Sequence, residues 1–295
     1  MSPPVSDVII SLSDELQHRK LPFLVLDPRG LGEDFELSWA LTGNKIEGTL
    51  STQRRDYDLK DVRSILAYLP TWPIPDETGQ YPNDWPLLSL CESFPGLVVN
   101  RPHTGSSNGS KPFQQTLIEA QGFRTPPTFI SWKSGLTRDF FERSNRDLIY
   151  KSISWVRSIV SRFEEGDLER LEESQSCPLQ LQERIPGVDV RVHVVGDRVF
   201  ATEVESQALD YRYAKQQGKK RTMRPVSLPE ERRQACVDLA KSLGMSICGV
   251  DLRRTPDHEY YCFEVNPTPG YSFYQQYTGQ GITEALVDLL EQGEV

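Results

Sequence analysis

Cysteine, histidine and long apolar runs are scarce in this sequence, and each shortage closes off a class of function. Five cysteines, Cys91, Cys177, Cys236, Cys248 and Cys262, stand apart from one another in 295 residues, with no CxxC pair and an odd total. That argues against a disulfide framework and leaves the thiols as small buried hydrophobes. The four histidines, His18, His103, His193 and His258, show no HxxxH or HExxH spacing, so no zinc site is expected. No apolar run approaches the roughly 20 residues that span a bilayer. The opening MSPPVSDVII has no basic segment ahead of an apolar block, so no signal peptide is read and a cytoplasmic location is expected. A formal net charge of -9 argues against general nucleic-acid binding. The basic run KQQGKKRTMR, from Lys215 to Arg224, reads as a solvated loop able to meet an anionic ligand.

Several nucleotide and nucleophile motifs are missing as well. There is no GxxxxGK[ST], no GxGxxG after a strand, no GxSxG elbow and no kinase signature. Any phosphate would therefore have to be held by lysines, arginines and a metal ion.

What is present is the composition of a globular protein, 37% hydrophobic and 25% charged. Its length suits one large domain or two to three lobes. The periodicity predicts a helix over Val8 to Arg19, a strand PFLVLD, a hairpin around Gly43-Asn44 and a helix LKDVRSILAYL. Thr71 to Pro86 is rich in turn formers and reads as a surface loop. A helix near Leu87 to Glu92, a strand LVVN, a loop RPHTGSSNGSKP and a helix FQQTLIEAQGF closed by Gly122 come next. TPPTFIS and RDLIYKSISW read as strands, and EEGDLERLEES as an exposed connection or helix. LQLQERI follows, and DVRVHVVGDRVFATEVES alternates around Gly196-Asp197 as a hairpin. SLPEERRQACVDLAKSLG is a helix for which Ser227 and Glu230 are expected to form a capping box. SICGVDLRR and YYCFEVN form a second hairpin across TPDHE, and GITEALVDLLEQ is a closing helix. The class is α/β tending to α+β.

The chemistry concentrates near the end. In YYCFEVNPTPG, Glu264 and Asn266 lie two apart, so a strand projects both from one face while Phe263 and Val265 face the other way. Asp251, in the paired strand, is expected to join them. Two carboxylates and a carboxamide form an all-oxygen set suited to Mg²⁺, which completes its shell with waters and phosphates. A structural alternative is that Asp251 and Glu264 merely pair with Arg253 or Arg254. Cations that could converge on metal-bound phosphates are Lys111, Lys151, Arg191 and Arg212.

From VVNRPHTGSSNGSKPFQQ through IYKS, QERIPGVDVRVHVVGDRVFA, LDYRY, GVDL and FEVNPTPG to YTGQGI, the chain resembles the ATP-grasp enzymes. The likeness is to RimK-type carboxylate-amine ligases and to graspetide (microviridin-type) peptide ligases. It implies an ATP-grasp fold with an N-terminal α/β pre-ATP-grasp domain (1–97), a small lobe (98–185) and a C-terminal lobe with the metal site (186–295). It further implies ATP and Mg²⁺ as cofactors, with Lys111 and Lys151 at the phosphates. Glu183, Arg184 and Ile185 would hold adenine by their backbone, Asp189 would contact ribose, and Arg212 the phosphates. Asp251, Glu264 and Asn266 would ligate Mg²⁺, and Arg191 with Arg212 would serve catalysis. His193, on the face of Arg191, is read as a structural histidine. The chain departs from the family after Lys151, where only Gly166 stands in for a glycine-rich lid. It departs again after the metal motif, where PTPGYSFYQQ replaces a Gly-Gln-Trp stretch.

The implied reaction phosphorylates a carboxylate, and an amine then attacks the acyl phosphate. The partners are a carboxylate substrate and an amine or peptide acceptor, with homo-oligomerisation left open. A ligase that cross-links a ribosomal peptide, and an inactive nucleotide-binding scaffold, are the alternatives.

Overall fold

The computed structural model describes residues 6–43, 45–68, 85–151, 160–173, 178–206, 218 and 220–293. The first part holds helix α1 (Asp7–His18), a three-stranded antiparallel sheet of β1 (Phe35–Thr42), β2 (Lys45–Thr52) and β3 (Asp56–Asp58), strand β4 (Ser64–Leu66), helix α2 (Trp85–Ser93) and strand β5 (Leu97–Val99). The hairpin around Gly43 is as expected, with Phe35 opposite Thr52 and Thr42 opposite Lys45.

Two expectations fail here. PFLVLD forms no strand, and Phe23, Leu24 and Val25 lie exposed. LKDVRSILAYL is not a helix: Asp58 caps a single turn over Leu59–Asp61, and Ser64–Leu66 then pairs in parallel with Leu97–Val99. Ile65 pairs with Val98, beside a core of Ala67, Cys91 and Phe94, so a remote partner outweighs the local helical spacing. The expected loop over Thr71 to Pro86 falls mostly outside the described residues, and Trp85 and Pro86 already belong to α2.

The middle part holds α3 (Lys111–Ala120), β6 (Thr128–Ser131), α4 (Ser134–Arg143), β7 (Leu148–Lys151), β8 (Ser161–Phe163), α5 (Glu165–Glu173) and β9 (Leu179–Glu183). Its four-stranded sheet has the order β6-β9-β7-β8. Leu148, Phe163 and Leu181 pack one face of it against Phe140, Phe141, Leu168 and Leu171 of α4 and α5. Short helical turns over Pro102–Gly109 replace the expected loop, and α3 begins at Lys111, with Pro112 tolerated in its first turn. Residues 152–155 of the expected strand fall outside the described residues.

The last part holds β10 (Val188–Val195), β11 (Arg198–Ser206), β12 (Arg221–Val226), α6 (Glu230–Ser242), β13 (Ile247–Arg254), β14 (Tyr260–Asn266), α7 (Ser272–Thr278) and α8 (Ile282–Gln292). Its five-stranded antiparallel sheet runs β12-β11-β10-β13-β14. One face buries Val190, Val192, Val194, Val250, Leu252 and Val265 with residues of α3 and α6. At one end of the other face Val195 and Ile247 share a core with α1, β5 and α8. Arg19 donates to Asp288 at 2.6 Å and ties the first helix to the last. The second half of the basic run is strand β12 rather than loop, because it pairs with β11 and Arg224 meets the buried Glu203. The capping box at Ser227 and Glu230 does not form: α6 starts at Glu230 behind Pro229, with no side-chain cap. Among the described residues no helix is long and apolar enough to cross a membrane.

Candidate active site

A cleft of about 880 Å³, open to solvent, lies between the four-stranded and five-stranded sheets. Lys111, at the start of α3, which packs against β14, belongs to its lining, and Lys151 at the end of β7 and Glu183 to Ile185 form one side. Asp189, Arg191, Asp251, Arg253 and Glu264 line the other.

The floor is set by strand register. Arg191, Asp251 and Glu264 stand side by side across β10, β13 and β14, and His193, Gly249 and Asn266 form the next row on the same face. Arg191 Nη1 meets Asp251 Oδ1 at 2.6 Å, and Asn266 Nδ2 donates to Asp251 Oδ2 at 3.2 Å. The three oxygen-bearing residues are therefore gathered on one face, as the spacing suggested. Among the described residues no group of three or more His, Cys, Asp and Glu could hold a metal. The set here is two carboxylates plus a carboxamide, which suits a hard cation that keeps water or phosphate oxygens.

Phe263 corrects the simple alternation. Asp251 pairs with Glu264 but Leu252 pairs with Cys262, so β14 carries a bulge at Phe263. The extra residue turns Phe263 into the cleft beside Glu264, while Cys262 and Val265 stay in the core.

Arg191 reaches Asp251 because its neighbour is glycine. A Cβ on Gly249 would lie 2.0 Å from Arg191 Nη2 and 2.9 Å from the Pro269 side chain. His193 is wholly buried, its Nε2 3.5 Å from Arg191 Nε and its ring edge-on to Tyr274. Burial first, and the Arg191 charge second, push its imidazole well below the usual histidine range, so it is neutral.

On the opposite wall Lys151 is buried, rather than snorkelling to solvent as a lysine at a strand end often does. Glu183 and Arg184 spend their N–H groups on the carbonyls of Pro127 and Asp147, and the Arg184 side chain pairs with the Asp147 carboxylate. Arg184 is thus held in place at the cleft. Arg253 pairs with Asp189 at 2.6 Å, donates to the Ile185 carbonyl at 3.0 Å and lies over the Phe263 ring. Arg254 pairs with Glu203. Neither arginine is the partner of Asp251 or Glu264, so the structural alternative is not what forms. Arg212 falls outside the described residues.

Arg253, Phe263 and Gln182 were not foreseen. Gln182 is buried in the cleft wall, and its Oε1 has no hydrogen-bond partner. Its signal was the alternation LQLQ, two carboxamides on one face of an otherwise apolar strand. A cleft lined by Gln182, by the segment Glu183 to Ile185 and by a row of carboxylates and cations fits a nucleotide with its metal.

Residues 115–290 match the RimK-like ATP-grasp domain, and the chain belongs to that family. A probable alpha-L-glutamate ligase of Trichodesmium erythraeum is 32% identical over 110 residues, 37% of this chain and 36% of that protein. The chain matches about a third of the length of the curated relatives. Among solved structures, macrocyclase MdnC of Microcystis aeruginosa, bound with precursor peptide MdnA, superposes with a TM-score of 0.80 at 19% identity. That match covers 98% of this chain and 97% of MdnC. A RiPP-associated ATP-grasp ligase of Chryseobacterium gregarium, in complex with ADP and a leader and core peptide, gives 0.79 at 19% identity over 96% and 92%. The fold is ATP-grasp, shared with these ligases.

Proposed function

We propose that the chain is an ATP- and Mg²⁺-dependent ligase that joins a carboxylate to an amine through an acyl phosphate. The observation that carries this is the convergence on one cleft of the cations Lys111, Lys151 and Arg191 with the carboxylates Asp251 and Glu264. ATP supplies the phosphoryl group that activates the carboxylate, and Mg²⁺ neutralises phosphate charge. Asp251, Glu264 and Asn266 would hold the metal, and Lys111, Lys151 and Arg212 the phosphates. The backbone from Glu183 to Ile185 would hold adenine and Asp189 the ribose. Arg191, fixed in its socket over Gly249, would steady negative charge on the reacting carboxylate. The same reading divides the chain at 97/98 and 185/186, with the cleft between the last two lobes. Incubation with ATP, Mg²⁺ and candidate carboxylate and amine pairs, followed by mass spectrometry, is expected to show ADP and a condensed product. Absence of ADP release with every acceptor, under conditions where the protein is folded, removes this reading.

A second reading, in which the acceptor is a ribosomally made peptide, draws support from one observation. Two of the solved structures that share the fold over nearly the whole chain are held with a precursor or a leader and core peptide. Loss of water from an acid-rich peptide encoded beside this chain, dependent on ATP, would favour it over a small-molecule acceptor.

A further inference from the structure

Among the described residues β14 is an edge strand: β13 pairs one side, and the other carries an isolated bridge between Arg124 and Tyr261. On its open side Val265, between Glu264 and Asn266, presents an N–H and a C=O that need partners. Among the described residues no strand supplies them. Gln114 of α3, 2% exposed, does so: its Nε2 donates to the Val265 carbonyl at 2.8 Å, and the Val265 N–H donates to its Oε1 at 2.9 Å. The side-chain amide takes the place of a neighbouring strand.

A second carboxamide acts one residue beyond Asn266. Nδ2 of the buried Asn100 donates to the Pro267 carbonyl at 2.7 Å and to the Ile247 carbonyl at 2.6 Å. Its Oδ1 accepts from the N–H groups of Ser246 at 2.7 Å and Ile247 at 3.1 Å. Asn100 thus ties the start of β13 to the end of β14 with every donor and acceptor of its amide.

We infer that Gln114 and Asn100 are positioning residues for the metal-ligand strand, a reading that rests on the proposed function. Backbone on each side of Asn266 is pinned, so the oxygens of Glu264 and Asn266 are presented with little freedom to diverge. Supports of this kind commonly alter metal affinity without touching the ion. Gln114 lies one helical turn beyond Lys111, so the same clamp sets the phosphate lysine against the metal strand.

The test is Gln114→Met, which keeps length and packing but deletes both hydrogen bonds. Mn²⁺ binding in the presence of ADP, followed by electron paramagnetic resonance, is expected to weaken by about 10-fold to 100-fold. Adenosine affinity, from calorimetry, stays near that of wild type, because the segment from Glu183 to Ile185, proposed to hold adenine, is untouched. Gln114→Glu keeps an acceptor for the Val265 N–H and is expected to lose less; it decides the matter if the methionine variant does not fold. Thr283→Val, which disturbs a buried hydroxyl of α8, serves as a control that lowers the melting temperature while leaving Mn²⁺ affinity alone. Unchanged Mn²⁺ affinity in a destabilised Gln114→Met makes the clamp merely structural and overturns the inference. Wild-type protein that binds no Mn²⁺ with ADP overturns the proposed function itself, and the inference with it.

Discussion

Arg191 and Asp251 stand opposite each other on β10 and β13 and form an ion pair at 2.6 Å, with the arginine 9% and the aspartate 24% exposed. One candidate metal ligand is therefore also the counter-ion of a buried arginine, and its removal has two effects. Asp251→Asn is expected to abolish turnover and also to destabilise the fold by about 1–3 kcal/mol, since it leaves a buried guanidinium without its carboxylate. Glu264→Gln is expected to abolish turnover at nearly unchanged stability. Denaturant midpoints together with ADP release separate the two variants, and equal stability would show that the pair contributes nothing.

Gly249 leaves the room that Arg191 occupies. Gly249→Ala places a methyl where the guanidinium lies, and Arg191 must move off Asp251. Activity is expected to fall at least about tenfold, while overpacking costs about 1–3 kcal/mol. Steady-state kinetics on the folded variant checks this, and wild-type kcat would detach Arg191 from the reaction.

Lys151 is buried at the cleft wall. Lys151→Met retains the apolar stem and deletes the cation, so ATP is expected to weaken much more than adenosine. Calorimetric titration of both ligands into both proteins is the measurement. Equal ATP affinity would remove Lys151 from the phosphate site.

His193 sets an acid limit on stability. Its imidazole is held well below 6.5 in the fold, by burial first and by the Arg191 charge second. The unfolded chain therefore binds the extra proton as pH drops through about 6.5, and the native state does not. Stability from this group is complete above that pH and is lost as pH falls below it, by up to about 1.4 kcal/mol per unit. The Asp27, Asp58 and Asp288 carboxyls, all lowered by hydrogen bonds from basic side chains, begin to give their losses only when pH falls into the usual carboxylate range, and continue below it. Urea midpoints from pH 8 downward should show an early decline in wild type that is missing in His193→Gln. A decline of the same size in both would assign it elsewhere.

Much of the fold and site was legible in the chain. Glu264 and Asn266 share a face because β alternation has a period of two, and the hairpin across TPDHE carried Asp251 beside Glu264, whereas Arg191 joins that row only through the non-local pairing of β10 with β13. The cysteines read as buried hydrophobes, and the four that are described are buried, with Cys91 pushed up to about 11 and Cys236 and Cys248 to about 12 by desolvation.

What the sequence by itself determined is whatever depends on neighbours within a few residues: strand faces, hairpin turns, helix spans and the ordered series of motifs. Only the tertiary structure decided which remote groups those faces would meet. Ser64–Leu66 became a strand because Leu97–Val99 lies beside it, and Phe263 entered the cleft because a bulge formed against β13. Arg253 found Asp189 rather than Asp251, and Gln114 found the open edge at Val265. The physical reason is common to all four. Unsatisfied backbone groups and buried charges take the partners that packing brings within reach, and those lie far away in the chain.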